Sequence, residues 1–409
     1  MRNHGASSIY IFLSCVSSLS YSMIFTIELI YQTNVVELNP LQLVLVGSVQ
    51  QSVNFLLQVP TGILADMYSR RGAVVLGLFL VGAGYFIESL IPTFIAVLVG
   101  AGIGGFGATL VNGADAAWIA DEMGAEHAGP IYIRAAQVGS ITSLLGIAIS
   151  AGLINVSLNL PIVLGGALFI SLGVILTLIM PEHHLTPKRH TSHNTLQQMR
   201  QIIYTSLQLI RRRPVLLTIL GTGIFYGIFT GGFDRLWPYY LLHHFTFPAL
   251  GGLTPLVWFC IIEAGIVMTN WLGMEIVRRN VNTDNHYAIA WALFIIDGLQ
   301  VATIIGFALA GQFFLALAIF LLFTTAAAPR SPLEHAWTLQ NSDSGVMATL
   351  FSLQGQVSAI AQIIGGPMLG VIATTFSTQT ALIVAGFILC PILLLYASTI
   401  RSSMPHRSP

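Results

Sequence analysis

The chain has 409 residues, of which 55% are hydrophobic and only 8% are Asp, Glu, Lys or Arg, with a formal net charge of zero. A soluble domain carries about 25% charged residues, so a water-soluble globular protein is excluded. The charges that remain must sit at the ends of membrane spans or face one another.

No Asp, Glu, Lys or Arg occurs in 3–27, 38–65, 89–114, 135–181, 298–329 or 344–400. A spanning helix needs roughly 20 apolar residues, so the two longest runs each hold two. None of them alternates as a β-barrel strand would. In chain order the runs predict an all-α integral membrane protein with helices at 7–31, 41–64, 73–91, 94–120, 131–154, 160–180, 214–240, 253–276, 287–308, 313–332, 346–373 and 377–400. With both termini in the cytoplasm, 15 of the 16 basic residues, Arg330 among them, fall on or near the cytoplasmic side, and only Arg235 lies toward the outside. Basic residues bias orientation in that sense. The six residues before the first span leave no room for a cleavable signal peptide, so none is expected.

The only long polar stretch, 181–213, divides an N-terminal six-helix bundle (1–180) from a C-terminal one with a short tail (214–409). Within it Leu196–Arg211 has the pattern of an amphipathic surface helix, where arginines meet lipid headgroups. The halves echo each other: Asp115-Ala116-Ala117-Trp118 recurs as Glu334-His335-Ala336-Trp337, Arg70-Arg71 as Arg278-Arg279, and Glu28 as Asp234-Arg235.

Between the second and third spans stands GILADMYSRRG, Gly62–Gly72. It resembles the signature loop G-x-x-x-D-(R/K)-x-G-(R/K)-(R/K) of the major facilitator superfamily. Gly62, Asp66, Arg70 and Arg71 match, while Met67 replaces a basic residue and Ser69 a glycine. The resemblance implies two pseudo-symmetric six-helix bundles around a midplane cavity that opens alternately to each side. It also implies that Gly62, Asp66, Arg70, Arg71 and Gly72 form a gating loop. There Asp66 faces the N-terminus of the eleventh span, expected after the N-cap residue Ser344. The short loops resemble bacterial drug exporters in particular. That implies proton-linked efflux of a lipophilic compound from a monomer in the cell membrane. An uptake symporter or facilitator for a polar nutrient is the alternative, and a non-transporting sensor on the same fold is the alternative of another class.

An ionisable residue within a span is expensive and must pair, face water or bind a proton. Glu28, Asp234 and Arg235 are expected to form an outer-side ion-pair cluster. Glu263, mid-span, is the preferred lone proton carrier, followed by Asp297. Glu88 is expected at the interface, and Asp115 is expected to pair with Arg134 or the loop arginines. Tyr21, Gln51, Asn54, Gln58, Tyr226, Gln137 and Gln354 are candidates to line a substrate cavity. Gly102–Gly107 spells G-x-G-x-x-G, but without a preceding strand it has no dinucleotide-binding context. Lys188, the sole lysine, follows no glycine-rich loop, so no nucleotide is expected, nor any nucleic acid. The linker histidines and the pair His243-His244 have no ligand spacing, so neither a metal nor any other cofactor is expected. Cys15, Cys260 and Cys390 fall inside spans and suggest no disulfide.

Overall fold

In the computed structural model, residues 3–182, 214–249, 251, 254–341 and 347–402 are described. Their helices are α1 (Asn3–Asn34), α2 (Pro40–Met67), α3 (Arg70–Leu90), α4 (Phe94–Val111), α5 (Ala114–Met123), α6 (Ala125–Leu153), α7 (Leu160–Ile179) and α8 (Pro214–His244). They continue with α9 (Val257–Asn280), α10 (His286–Leu309), α11 (Phe313–Ala327), α12 (Arg330–Asn341), α13 (Met347–Thr375), α14 (Thr378–Ile388) and α15 (Cys390–Ser402). The pairs α4–α5, α11–α12 and α14–α15 are successive segments of single spans, which leaves twelve. Eleven are long and apolar enough to cross a membrane by that measure alone. The other is α2, where Gln42, Gln50, Gln51, Asn54 and Gln58 dilute the apolar run. The linker residues 183–213, the proposed helix Leu196–Arg211 within them, and Ser344 lie outside the described residues.

Local chemistry starts and stops these helices. Asn39 caps α2 by accepting from Gln42 N while Gln42 Oε1 accepts from Asn39 N, and Pro40 supplies a pre-set first position. Thr93 and Ser377 cap α4 and α14 in the same manner. The fourth span, expected as one helix to residue 120, is instead interrupted at Asn112–Gly113. Gly113 adopts φ +86°, a left-handed backbone that a side chain disfavours. The tenth span is interrupted at Ala328–Pro329 and runs on to Asn341, not 332 as expected.

The chain divides into two compact units, Met1–Arg189 with Phe247–Ala264 and His190–Thr246 with Gly265–Pro409. In the first, α1 packs on α6 and α7, and α3 on α4 and α7. The run Gly102–Gly107 lies within α4, whose small residues permit close approach. A Cβ on Gly107 would come within 2.6 Å of Gly77 O, and one on Gly100 within 2.6 Å of Gly84 O. In the second, α8 packs on α13, and α10 on α11, α14 and α15.

The two units repeat more than sequence. Trp118 and Trp337, the last residues of the echoed tetrapeptides, are both 1% exposed just after a span interruption. Tyr31 at the end of α1 donates to Glu88 O at 3.1 Å, and Tyr240 near the end of α8 donates to Ala308 O at 2.8 Å. Thr61 of α2 donates to Thr109 O of α4, and Thr269 of α9 bonds Thr324 of α11.

Candidate functional site

Asp66 and Arg70 face each other across the turn between α2 and α3, with Arg70 Nη2 3.0 Å from Asp66 Oδ1. Arg70 also donates to Ala117 O at 2.8 Å and to Asp121, which ties the turn to α5. Arg71 donates through its side chain to Thr177 O and through its backbone to Glu182 Oε1 at 3.2 Å. Ser69, where the family pattern has glycine, accepts from Gly72 N at 2.7 Å and donates to Glu182 Oε2 at 2.7 Å. It caps α3 and docks the segment after α7 at once. Around Gly62 there is open space, whereas a Cβ on Gly72 would meet Ser69 Oγ at 2.9 Å. Ser69→Ala is expected to lower stability by about 1 kcal/mol, the cost of a lost cap, read as a lower thermal midpoint in detergent. An unchanged midpoint would show that the turn is held by the arginines alone.

In the C-terminal unit three helices, α8, α10 and α12, meet at Arg330, the first residue of α12. Its Nε donates to Asp297 Oδ1 of α10 at 3.0 Å and its Nη1 to Glu334 Oε2 at 2.8 Å, one helical turn on. The guanidinium lies 3.7 Å above the ring of Tyr226 on α8, a cation–π contact. Thr222 of α8 donates to the second oxygen of Glu334 at 3.0 Å, and Gln300 donates to Asp297 Oδ1 at 3.2 Å. Asp297, Arg330 and Glu334 are 0%, 4% and 5% exposed. Arg330, expected on or near the cytoplasmic side, is thus buried between helices. The break at Pro329 starts a new helix whose first turn faces inward. Arg330 Nη2 and Gln300 Oε1 are buried without a partner, so the network keeps spare donor and acceptor capacity.

The N-terminal unit holds its own buried carboxylates. Gln32 Nε2 bridges Glu28 Oε1 at 3.2 Å and Glu88 Oε1 at 2.8 Å. Glu88, expected at the interface, is 2% exposed, because α3 turns it toward α1 near the carbonyl that Tyr31 binds. Asp115 pairs with neither Arg134, which is exposed, nor the loop arginines, which are committed elsewhere. It lines a cavity of about 190 Å³ beside α1.

The remaining expected residues scatter. Asp234 is exposed and Arg235 half-buried, both on α8 in the C-terminal unit, whereas Glu28 belongs to the other. Glu263 is half-buried in the second turn of α9, nearer its start than the mid-span position expected. Tyr21 packs edge-on against Phe169 at 4.7 Å. Gln51 and Asn54 are half-buried and Gln58 exposed, along one face of α2. Gln137 is exposed and Gln354 half-buried. Sequence reasoning missed the Arg330–Glu334 pair, although its i, i+4 spacing beside a charge-free run was the available signal. Among the described residues no group of three or more His, Cys, Asp or Glu is placed to hold a metal ion.

Twelve helical spans, a pairwise-repeated set of interhelical contacts and ionic clusters buried between helices define a multi-pass membrane carrier. The chain belongs to the Major Facilitator Superfamily, whose family model matches residues 10–366. It is a transporter of small molecules and not an enzyme. An MFS-type transporter of Bacillus subtilis (strain 168), YxaM, is 23% identical over 364 residues, 87% of this chain and 86% of that protein. The nucleoside transporter NupG superposes with a TM-score of 0.75 at 14% identity, covering 97% of this chain and 99% of NupG. A POT family transporter solved with a thioalcohol-conjugated peptide superposes at 0.73 and 13% identity, covering 98% and 96%. A bacterial homolog of the human lysosomal transporter Spinster superposes at 0.71 and 13% identity, covering 98% and 97%. At such identities the structures establish the fold.

Proposed function

We propose that the protein is a proton-coupled exporter of a lipophilic small molecule. It works by alternating access as a monomer in the cell membrane, with its termini and the 181–213 linker between its two bundles cytoplasmic. The observation that carries this reading is the Asp297–Arg330–Glu334 cluster. Two carboxylates share one guanidinium, so with both ionised the cluster holds one uncompensated negative charge in a low-dielectric interior. Such a charge is costly, and a proton on either carboxylate removes it while leaving the other paired with Arg330. Proton binding then selects between two pairings, which is what coupling to a conformational cycle requires. The acidic pair Glu28–Glu88 supports the reading, as do Asp234, beside Arg235, and Glu263 as secondary carriers. The Gly62–Gly72 loop is the gate in this reading, and the polar groups Tyr21, Gln137 and Gln354 line the route.

The test is transport in proteoliposomes under an imposed pH gradient, comparing lipophilic cations, single-ring and multi-ring, with a sugar. Asp297→Asn, which fixes the charge balance at Arg330, should abolish gradient stimulation while leaving passive counterflow intact. Gradient-driven transport unchanged in Asp297→Asn and Glu334→Gln would remove the cluster from the coupling role. A second reading, uptake of a polar nutrient, draws on the amides of α2, where Asn54 Oδ1 is buried without a partner. Accumulation along the proton gradient, instead of extrusion against it, would favour that reading.

A further inference from the structure

We propose that the N-terminal unit contains a binding site for a small organic cation, a protonated amine carried on a single aromatic ring, with Asp115 receiving the ammonium group. On the transport reading above, this names the cargo.

The cavity beside Asp115 measures about 190 Å³ and is lined by Tyr10, Ser14, Ser17, Tyr21, Asp115 and Phe169, among others. Tyr10, Ser14, Ser17 and Tyr21 follow at i, i+4, i+7 and i+11, one face of α1, so the cavity extends along roughly 16 Å of helix at 1.5 Å per residue. Asp115 lies at the end near Tyr10, whose ring packs on Tyr132, which in turn donates to Ala116 O. At the other end Tyr21 and Phe169 meet edge to face at 4.7 Å. A carboxylate at one end and an aromatic corner at the other match an arylalkylamine lying along α1. The ammonium group meets Asp115 and the Tyr10 ring, and the aryl ring meets Tyr21 and Phe169.

The charge of Asp115 has no counter-ion among the described residues. The Arg70 guanidinium is engaged by Asp66, Asp121 and Ala117 O, and that of Arg71 by Thr177 O. No ion pair to Asp115 exists among the described residues. The interruption at Gly113 is what aims it: α5 begins at Ala114, so Asp115 leaves the line of α4 and enters the cavity wall. Size then narrows the ligand. Cavities of about 150 Å³ admit benzene, whereas drug-sized ligands occupy roughly 300–1,000 Å³. A single ring with a short amine chain fits; a multi-ring lipophilic cation does not. Ser17 and Asn112 add hydroxyl and amide groups for a phenolic or other polar substituent.

The experiment is equilibrium binding to the full chain in nanodiscs at pH 7, by calorimetry, with three probes. Tyramine carries ring and amine, 4-ethylphenol is its neutral counterpart, and tetraphenylphosphonium is a bulky cation. Tyramine should bind at least tenfold more tightly than 4-ethylphenol, and tetraphenylphosphonium should not displace it. Asp115→Asn, which retains a side-chain acceptor at the start of α5, should erase the preference for tyramine. Ser17→Phe, which fills the cavity and leaves the charge, should weaken both single-ring probes at least tenfold with an unchanged thermal midpoint. Equal binding of the two single-ring probes, or a preference that survives Asp115→Asn, overturns the proposal. So does binding of tetraphenylphosphonium alone. No gradient is present, so the outcomes separate. Tyramine binding without a response to pH gradients supports the site and sinks only the coupling. Gradient-driven export with no tyramine binding sinks only the site.

Discussion

Arg330→Met is expected to destabilise the C-terminal unit by about 3–5 kcal/mol, the range for removing one partner of a buried ion pair. Methionine replaces the volume of the arginine stem but none of its charge. Asp297 and Glu334 would then face each other unneutralised, each having lost a bond of 3.0 or 2.8 Å. The check is the thermal midpoint in detergent together with yield in the membrane fraction. Adding Asp297→Asn and Glu334→Gln to Arg330→Met should recover most of the loss, because neutral amides need no counter-charge. A triple variant as unstable as the single one would mean that the contact of the guanidinium with the Tyr226 ring holds these helices, and not charge balance. Arg330→Lys should fall between, since an ammonium on a flexible stem does not reproduce the planar fork that reaches both carboxylates.

The second large effect lies in the contact between α8 and α13. A Cβ added at Gly231 would come within 2.5 Å of Gln362 O and 2.9 Å of Gln362 Cα, and one at Gly227 within 2.6 Å of Ser358 O. These neighbours are backbone atoms, which no rotamer change can move aside. Gly231→Val must therefore push two spans apart, at a cost at or above the roughly 1–3 kcal/mol typical of overpacking. Gly223, on the same helix, has open space where its Cβ would be. Gly223→Ala should leave the thermal midpoint unchanged or raise it slightly, since alanine is the better helix former. Comparable losses in both variants would show that α8 rejects any added side chain and not that the close approach at Gly231 is the cause.

Much of the fold is legible in the sequence for a simple reason. Lipid cannot satisfy backbone polar groups, so an uncharged run of this length has to be helical. The same runs locate the loops, and the charged island Asp66–Arg71 marks one of them. The duplicated tetrapeptides at Asp115 and Glu334 also pointed to positions that prove equivalent, each just after an interruption and each followed by a buried tryptophan. The sequence did not disclose what those positions contact. Glu88 sits near the end of an apolar run and reads as interfacial, yet the pitch of α3 turns it toward Gln32. Asp115 reads as a partner of Arg134 or the loop arginines, yet Arg70 pairs with Asp66 and Asp121.

Hydropathy, charge distribution and the loop pattern determined the class of protein, its twelve spans and its family, because those properties depend on residues close together in the chain. The partners of the buried charges were decided only by the tertiary structure. Asp297 and Arg330 are 33 residues apart, and Tyr10 and Asp115 line one cavity from helices three spans apart. Whether an intramembrane charge is paired, bridged or left facing a cavity depends on helix rotation and on breaks such as Gly113 and Pro329. Those are set by packing between spans, which no local pattern encodes.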